Sequence, residues 1–190
     1  MKNILLFDNY DSFTYNLYHY LSFFRGYEVD VRRNDKISLA EVDAYDLIVL
    51  SPGPGIPEES GILLPLINEY SKKKKMLGVC LGLQAIVISF GGKIRQLKTV
   101  QHGKTKATLI KDQGAAIFKG MSGAINCGRY HSWVADEATL PECFDVTATD
   151  EDDVIMAIQH KSLPLHAVQF HPESIMTENG LQMIENWLNC

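Results

Sequence analysis

Residues Met76-Leu-Gly-Val-Cys-Leu-Gly-Leu-Gln84 place one cysteine, Cys80, between two glycines, Gly78 and Gly82, each two positions away. An apolar run leads into the cysteine, and a helix-forming run from Leu81 to Phe90 leaves it. The layout is glycine-x-nucleophile-x-glycine. Small residues there permit a sharp strand-to-helix turn that presents the middle residue at the carboxyl edge of a sheet. The positive end of the helix favours a thiolate, and its first N–H groups can hold an oxyanion. An isolated cysteine is more often a small core residue; the paired glycines and the strand-then-helix setting weaken that reading, and the rest of the chain decides between the two. Such an elbow confines the first half of the chain to a strand–helix architecture.

The chain before Cys80 fits that demand. Ile4 to Phe7 reads as a buried strand ending in the turn-forming Asp8-Asn-Tyr-Asp-Ser12. A helix is expected from about Phe13 to Phe24, a strand over Tyr27 to Arg33, a short helix over Leu39 to Ala44 and a buried strand over Tyr45 to Leu50. Ser51-Pro-Gly-Pro-Gly-Ile-Pro57 then forms a stiff loop, because proline lacks an N–H and fixes φ, while glycine lets a ligand approach the backbone. A helix from about Gly61 to Lys73 leads to the Cys80 strand. Repeated strand–helix units imply a parallel sheet with right-handed crossovers, which binds ligands outside the carboxyl ends of its strands.

The second half differs. After Gly91-Gly92, short β-like runs (Ala107 to Ile110, Trp133 to Ala135, Asp145 to Thr149, Val154 to Gln159, Pro164 to Gln169) alternate with turns, which suits antiparallel strands. A helix over about Glu178 to Leu188 closes the chain. The expected fold is α/β: a mostly parallel central sheet with flanking helices and a small antiparallel β portion, as one domain over residues 1–190.

A net charge of −5 argues against a nucleic-acid partner, which would need a clustered basic face. The one basic run, Lys72 to Lys75, reads as a solvated helix end. No apolar stretch reaches the roughly 18–20 residues of a membrane span. No signal peptide is legible at the start, so a cytoplasmic protein with reduced thiols is expected. None of Cys80, Cys127, Cys143 and Cys190 has Cys-x-x-Cys spacing, which disfavours zinc ribbons and thioredoxin-type redox sites, and no metal site is expected.

A cysteine nucleophile needs a base, and usually a third group to orient it. Of six histidines, five have ordinary readings: His19 in a helix, His160 in a turn, His166 in a strand, and His102 and His131 near glycines without a carboxylate two residues on. His171 stands in Gln169-Phe-His-Pro-Glu-Ser174, with Glu173 two residues away. Proline favours an extended conformation at the residue before it, and in an extended segment i and i+2 face the same side. Glu173 is thus placed where it could take part in orienting the imidazole, although His-x-Glu by itself is more often a surface turn with an incidental pair. A zinc-deaminase pattern also uses His-x-Glu, but needs a Pro-Cys-x-x-Cys that this chain lacks.

Together, the Cys80 elbow, the Gly53–Gly55 loop and His171–Glu173 specify a Cys-His-Glu triad with an oxyanion hole. The sequence resembles the class I (triad) glutamine amidotransferases, most of all the glutaminase subunits of anthranilate synthase and aminodeoxychorismate synthase. The resemblance is carried by Asp8-Asn-Tyr-Asp-Ser-Phe-Thr14, Ser51-Pro-Gly-Pro-Gly55, Gly78-Val-Cys-Leu-Gly82 with Gln84, His102-Gly-Lys104, Gly128-Arg-Tyr-His-Ser132 and Gln169-Phe-His-Pro-Glu-Ser174. It implies that Cys80 attacks the glutamine amide, His171 moves the protons and Glu173 orients His171. It implies oxyanion donors at Gly53 and Leu81, and substrate contacts from Gly53, Pro54, Gly55, Gln84, Ser132 and Trp133. It implies L-glutamine as substrate, no cofactor in this chain, and a chorismate-using synthase partner that carries Mg2+ and takes the ammonia, for tryptophan synthesis first and folate synthesis as the alternative. The competing readings are a catalytically idle binding subunit, against which the intact Cys80, His171 and Glu173 argue, and a cysteine peptidase or hydrolase on a similar scaffold. The chain ends about two residues after its last helix, so the ammonia acceptor is expected on another polypeptide. Leu83, Lys106 and Trp133 depart from the residues common in relatives: His or Met, a small residue, and Leu.

Overall fold

The computed structural model describes residues 1–112 and 114–190. Its first half runs β1 (Lys2–Asp8), α1 (Thr14–Ser22), β2 (Tyr27–Arg33), α2 (Leu39–Val42), β3 (Leu47–Leu50), α3 (Leu63–Tyr70), β4 (Lys75–Val79) and α4 (Leu81–Ser89). Its second half runs β5 (Ile94–Ile110), β6 (Ala124–Ala135), β7 (Phe144–Thr149), β8 (Ile155–His160), β9 (Leu165–Val168) and α5 (Gly180–Asn189).

Among the described residues the strands form one sheet in the order β2-β1-β3-β4-β9-β8-β7-β5-β6. Pairing is parallel from β2 to β9 and antiparallel from β9 to β6. β9 is the hinge of the topology, parallel to β4 on one side and antiparallel to β8 on the other. The α/β fold expected from the sequence is the one observed.

Alternation along the strands divides the apolar residues between two faces. Ile4, Leu6, Leu77 and Val79 join Leu17 and Leu21 of α1 and Met183, Ile184 and Trp187 of α5. Leu5, Phe7, Ile48, Leu50 and Met76 join α3 and α4 on the other face. Each fully buried aliphatic side chain contributes about 1.5–3 kcal/mol. α4 is buried at Leu81 through Val87, so no polar face is to be found there. Leu83 is fully buried in this layer, which accounts for an apolar residue at that position.

Several boundaries shift. The helix expected from Gly61 spans Leu63–Tyr70, and the closing helix starts at Gly180 rather than Glu178. His160 is the last residue of β8 rather than a loose turn residue; its Nδ1 accepts from the N–H groups of Ser162 and Leu163. The lysine run is not simply a solvated helix end. Lys74 Nζ donates to the carbonyls of Asp43 and Tyr45, and Lys75 opens β4 with Nζ donating to the Cys190 carbonyl.

The largest difference is the β5–β6 hairpin. The sequence suggests strand only at Ala107 to Ile110 and Trp133 to Ala135, yet β5 has 17 residues and β6 has 12. β5 is mostly polar and only two of its residues are buried, and its register breaks between Gln96 and Gln101 and between His102 and Lys104. Irregularities of this kind disrupt the period-two signal from which a strand is read. Lys106 pairs with Cys127 in this ladder.

Candidate active site

Cys80 sits between β4 and α4 with φ 52° and ψ −100°, a conformation that costs a non-glycine residue about 1–3 kcal/mol. Neighbours hold it there: its N–H donates to Val168 O at 2.8 Å, and its carbonyl accepts from Gln84 N at 3.2 Å. Both flanking glycines are required by space. A Cβ on Gly78 would come within 2.7 Å of the Gly82 carbonyl carbon, and one on Gly82 within 2.7 Å of Leu50 O. The absence of side chains lets the start of α4 lie against β3 and β4. The sharp turn expected at Cys80 is thus the observed one.

His171 follows β9 by three residues. Its Nδ1 lies 2.7 Å from Glu173 Oε1, and both residues are almost wholly buried. The reason for the pairing differs from the extended geometry expected. The chain turns here, with Ser174 N donating to His171 O at 3.2 Å and Thr177 Oγ1 donating to the same oxygen at 2.5 Å. Folding back, rather than strand alternation, brings Glu173 under the imidazole. His171 N in turn donates to Gly128 O at 3.2 Å, tying the segment to β6.

Burial opposes protonation of His171, but interactions with Cys80 and Glu173 outweigh it and raise the imidazole well above its ordinary value. Nε2 is buried, with no hydrogen-bond partner of regular geometry among the described residues. The thiol is thus a neighbour that favours the charged imidazole without being locked to it. The rings of Phe13 and Tyr130 lie 5.3 Å and 4.9 Å from the imidazole ring and shield it.

The loop after β3 is fastened to the loop after β1. Asn9 N donates to Ser51 Oγ at 2.9 Å, and Asn9 Nδ2 to Ser51 O at 3.0 Å. This seats Gly53 so tightly that a Cβ would fall 2.6 Å from Asn9 Cβ and 2.7 Å from Leu81 Cδ2. Gly53 and Leu81 are therefore side by side. The N–H of Leu81 opens α4, where no intrahelical acceptor exists.

A cavity of about 270 Å³ opens over the thiol. Gly53, Pro54, Gly55, Cys80, Gln84, Ser132 and Trp133 all line it, so the structure brings the expected substrate-contact residues to one place. Gln96, Tyr130 and His131 line it as well. Tyr130 and His131 lie inside the Gly128–Ser132 stretch but were not among the expected substrate contacts, and Gln96 has no distinguishing pattern in the sequence; all three are delivered by the hairpin. Burial, followed by the charge of Arg129, lowers His131 to about 3, so it is a neutral wall residue near neutral pH. The Trp133 carbonyl accepts from Gln84 Nε2 at 2.8 Å, which makes the backbone rather than the indole the polar element at that position. A second cavity, about 460 Å³, lies against Asp11, Phe13, His102 and His171 and shares Cys80, Gly53, Pro54 and Tyr130 with the first. Cys80 therefore stands between two spaces. Among the described residues no group of three or more His, Cys, Asp or Glu side chains is arranged to hold a metal ion.

Such an arrangement can perform acyl transfer: a nucleophile on a strained turn, a base oriented by a carboxylate, a free N–H at the start of a helix, and a cavity over the sulfur.

Comparison with known proteins places these features in a family. Residues 5–190 match the family model described as glutamine amidotransferase class-I. Aminodeoxychorismate synthase component 2 of Escherichia coli is 48% identical over 188 residues, covering 98% of this chain and 99% of that protein. Anthranilate synthase component 2 of Azospirillum brasilense is 48% identical over 189 residues, covering 98% of this chain and 95% of that protein. The crystal structure of a Thermoplasma acidophilum protein described as part of a GMP synthase superposes with a TM-score of 0.88 at 26% identity, covering all of this chain and 93% of that one.

Proposed function

This chain belongs to the class I glutamine amidotransferase family, and we propose that it is the glutamine-hydrolysing subunit of a chorismate-aminating synthase. The observation that carries the reading is the buried His171–Glu173 pair at 2.7 Å, set beside a cysteine on a strained elbow at the floor of a cavity.

In this reading L-glutamine lies in the cavity of about 270 Å³ with its side-chain amide over Cys80. His171 takes the thiol proton as the sulfur attacks the amide carbon. The oxyanion is held by the N–H groups of Gly53 and Leu81, which become fully used only as charge develops. His171 then gives its proton to the departing ammonia, leaving a glutamyl thioester. Water, deprotonated by His171, cleaves the thioester and releases glutamate. Glu173 keeps the imidazole in the right tautomer and stabilises its charged form, the role a buried carboxylate plays in other triads. Gly55, Pro54, Gln84, Ser132 and Trp133 hold the amino-acid end of the substrate.

The partner is a chorismate-using component 1 that receives the ammonia; Mg2+ belongs to it, and no cofactor to this chain. The work is done in the cytoplasm, a reading with which the lack of any helix long and apolar enough to cross a membrane, among the described residues, is compatible. Anthranilate synthesis, toward tryptophan, is our first assignment; aminodeoxychorismate synthesis, toward folate, is the second, and one subunit can serve both. Equal identities of 48% to a relative of each name leave the choice to the partner. Supplying the native complex with chorismate, glutamine and Mg2+ and identifying the aromatic product decides it. Cys80→Ala tests the glutaminase itself. Glutamine-dependent synthesis by the complex is lost while ammonia-dependent synthesis remains; loss of both makes Cys80 a structural residue and sinks the reading.

A further inference from the structure

We propose that Gln169 is a positioning residue for the Cys80 thiolate, its amide held in one polarity by a relay that begins at the Trp133 carbonyl. The proposal rests on Cys80 being the nucleophile and adds how the wall of the substrate cavity is coupled to it.

The relay starts at a fixed acceptor. A backbone carbonyl can only accept, so the group of Gln84 facing Trp133 O at 2.8 Å must be its NH2. The same Nε2 lies 3.4 Å from the side-chain oxygen of Gln169. With that oxygen engaged, the NH2 of Gln169 points at Cys80 Sγ, 3.5 Å away. Turning either amide over would set oxygen against oxygen or NH2 against NH2. The polarity is therefore dictated by the backbone acceptor and passed along two side chains.

Gln169 is fully buried, so water does not compete for its donor. Its backbone N–H donates to Met156 O at 2.8 Å, which anchors it to β8. A donor to an anion favours the anion. The amide thus stabilises the thiolate independently of His171. It also links the sulfur to the Ser132–Trp133 backbone, where the proposed substrate lies. Displacing that backbone frees the Gln84 amide, then the Gln169 amide, and loosens the sulfur.

The test is the pH dependence of Cys80 alkylation by iodoacetamide in the full chain, read by mass spectrometry of the Cys80 peptide so that other thiols do not interfere. Gln169→Met removes the donor; Gln169→Glu keeps the shape but faces the thiolate with an acceptor. The midpoint is expected to move upward by about a unit in Gln169→Met and further in Gln169→Glu. Glutamine turnover should fall about tenfold in kcat, with little change in KM. Gln84→Met should shift the midpoint in the same direction, and combining it with Gln169→Met should add nothing, because Gln84 acts on the thiol through Gln169. Wild-type midpoints in both Gln169 variants, or additive shifts in the double variant, overturn the proposal. Should Gln169→Met fail to fold, the isosteric Gln169→Glu decides alone. The alkylation midpoints do not depend on whether glutamine is the substrate, which Cys80→Ala tests separately.

Discussion

Two cysteine–histidine pairs among the described residues lie at opposite ends of the sheet, and they behave in opposite ways. Cys80 lies by His171 at the carboxyl end of β4; Cys190 Sγ lies 3.7 Å from His166 Nε2, on the far side. His171 has a buried carboxylate at 2.7 Å and is raised well above the ordinary imidazole value despite its burial. Among the described residues His166 has no carboxylate partner. Burial, then the charge of Lys75, lowers it to about 4. Cys80 is constrained at the start of α4, whereas Cys190 is exposed and donates to Trp187 O at 3.3 Å. The same two side chains make a reactive pair only where a third group supplies charge and the backbone supplies position.

The comparison can be broken first at the sulfur. Cys80→Ala should remove glutamine hydrolysis, while Cys190→Ala should leave it within about twofold, since neither Cys190 nor His166 lines the cavity over Cys80. Steady-state glutamate release from each variant makes the contrast direct.

Removing the carboxylate comes next. Glu173→Gln should lower kcat by about 10²–10⁴-fold, the range of general acid–base contributions. It should also lower the His171 titration, because Glu173 is one of the groups holding it up. An NMR titration of the His171 ring that does not move would show that the carboxylate only packs.

A smaller loss is expected from a residue outside the site. A Cβ on Gly180 would overlap the Pro172 carbonyl, so Gly180→Ala must displace the segment between His171 and Glu173. Overpacking of this kind costs about 1–3 kcal/mol, and activity should fall further than stability alone explains. Thermal melts and kcat measured together separate the two effects.

The mildest prediction concerns pH. A histidine lowered in the fold stabilises when neutral: His166 contributes fully above about pH 6.5, its unfolded value, and loses that contribution as pH falls toward 4. His171 has the opposite sign, contributing most below its unfolded value and losing it as pH rises through its raised folded value. His166→Leu should therefore reduce the acid sensitivity between pH 6.5 and 4 while leaving the neutral-pH melting temperature nearly unchanged. His131, lowered to about 3, keeps part of that sensitivity.

The parallel half was legible because its signals are local. Leu47 to Leu50 is apolar at every position since both faces of β3 are covered, and Gly78-Val-Cys-Leu-Gly82 writes a turn into consecutive residues. Cys80, the Gly53 loop and His171 with Glu173 could all be nominated from short stretches. The hairpin could not. β5 has only two buried residues and is bulged, so its pairing with β6 is decided by contacts across the ladder rather than by its own periodicity. With it went Gln96, and with it the cavity-lining place of Tyr130 and His131, whose stretch was recognisable but whose position depends on β5 and β6 carrying them there.

By itself, then, the sequence determined which chemistry was available: a nucleophile on a glycine-flanked turn, a base with a carboxylate two residues on, and a rigid loop for donors. Each depends on interactions within a few residues. Tertiary structure alone decided that these converge. β9 inserts beside β4 and brings His171 to a cysteine 91 residues away in the chain. The turn at Pro172, packed on Gly180, aims Glu173 at the imidazole, and the Trp133 carbonyl sets the polarity of Gln84 and Gln169. Those outcomes rest on long-range packing and hydrogen-bond partners that no single stretch contains.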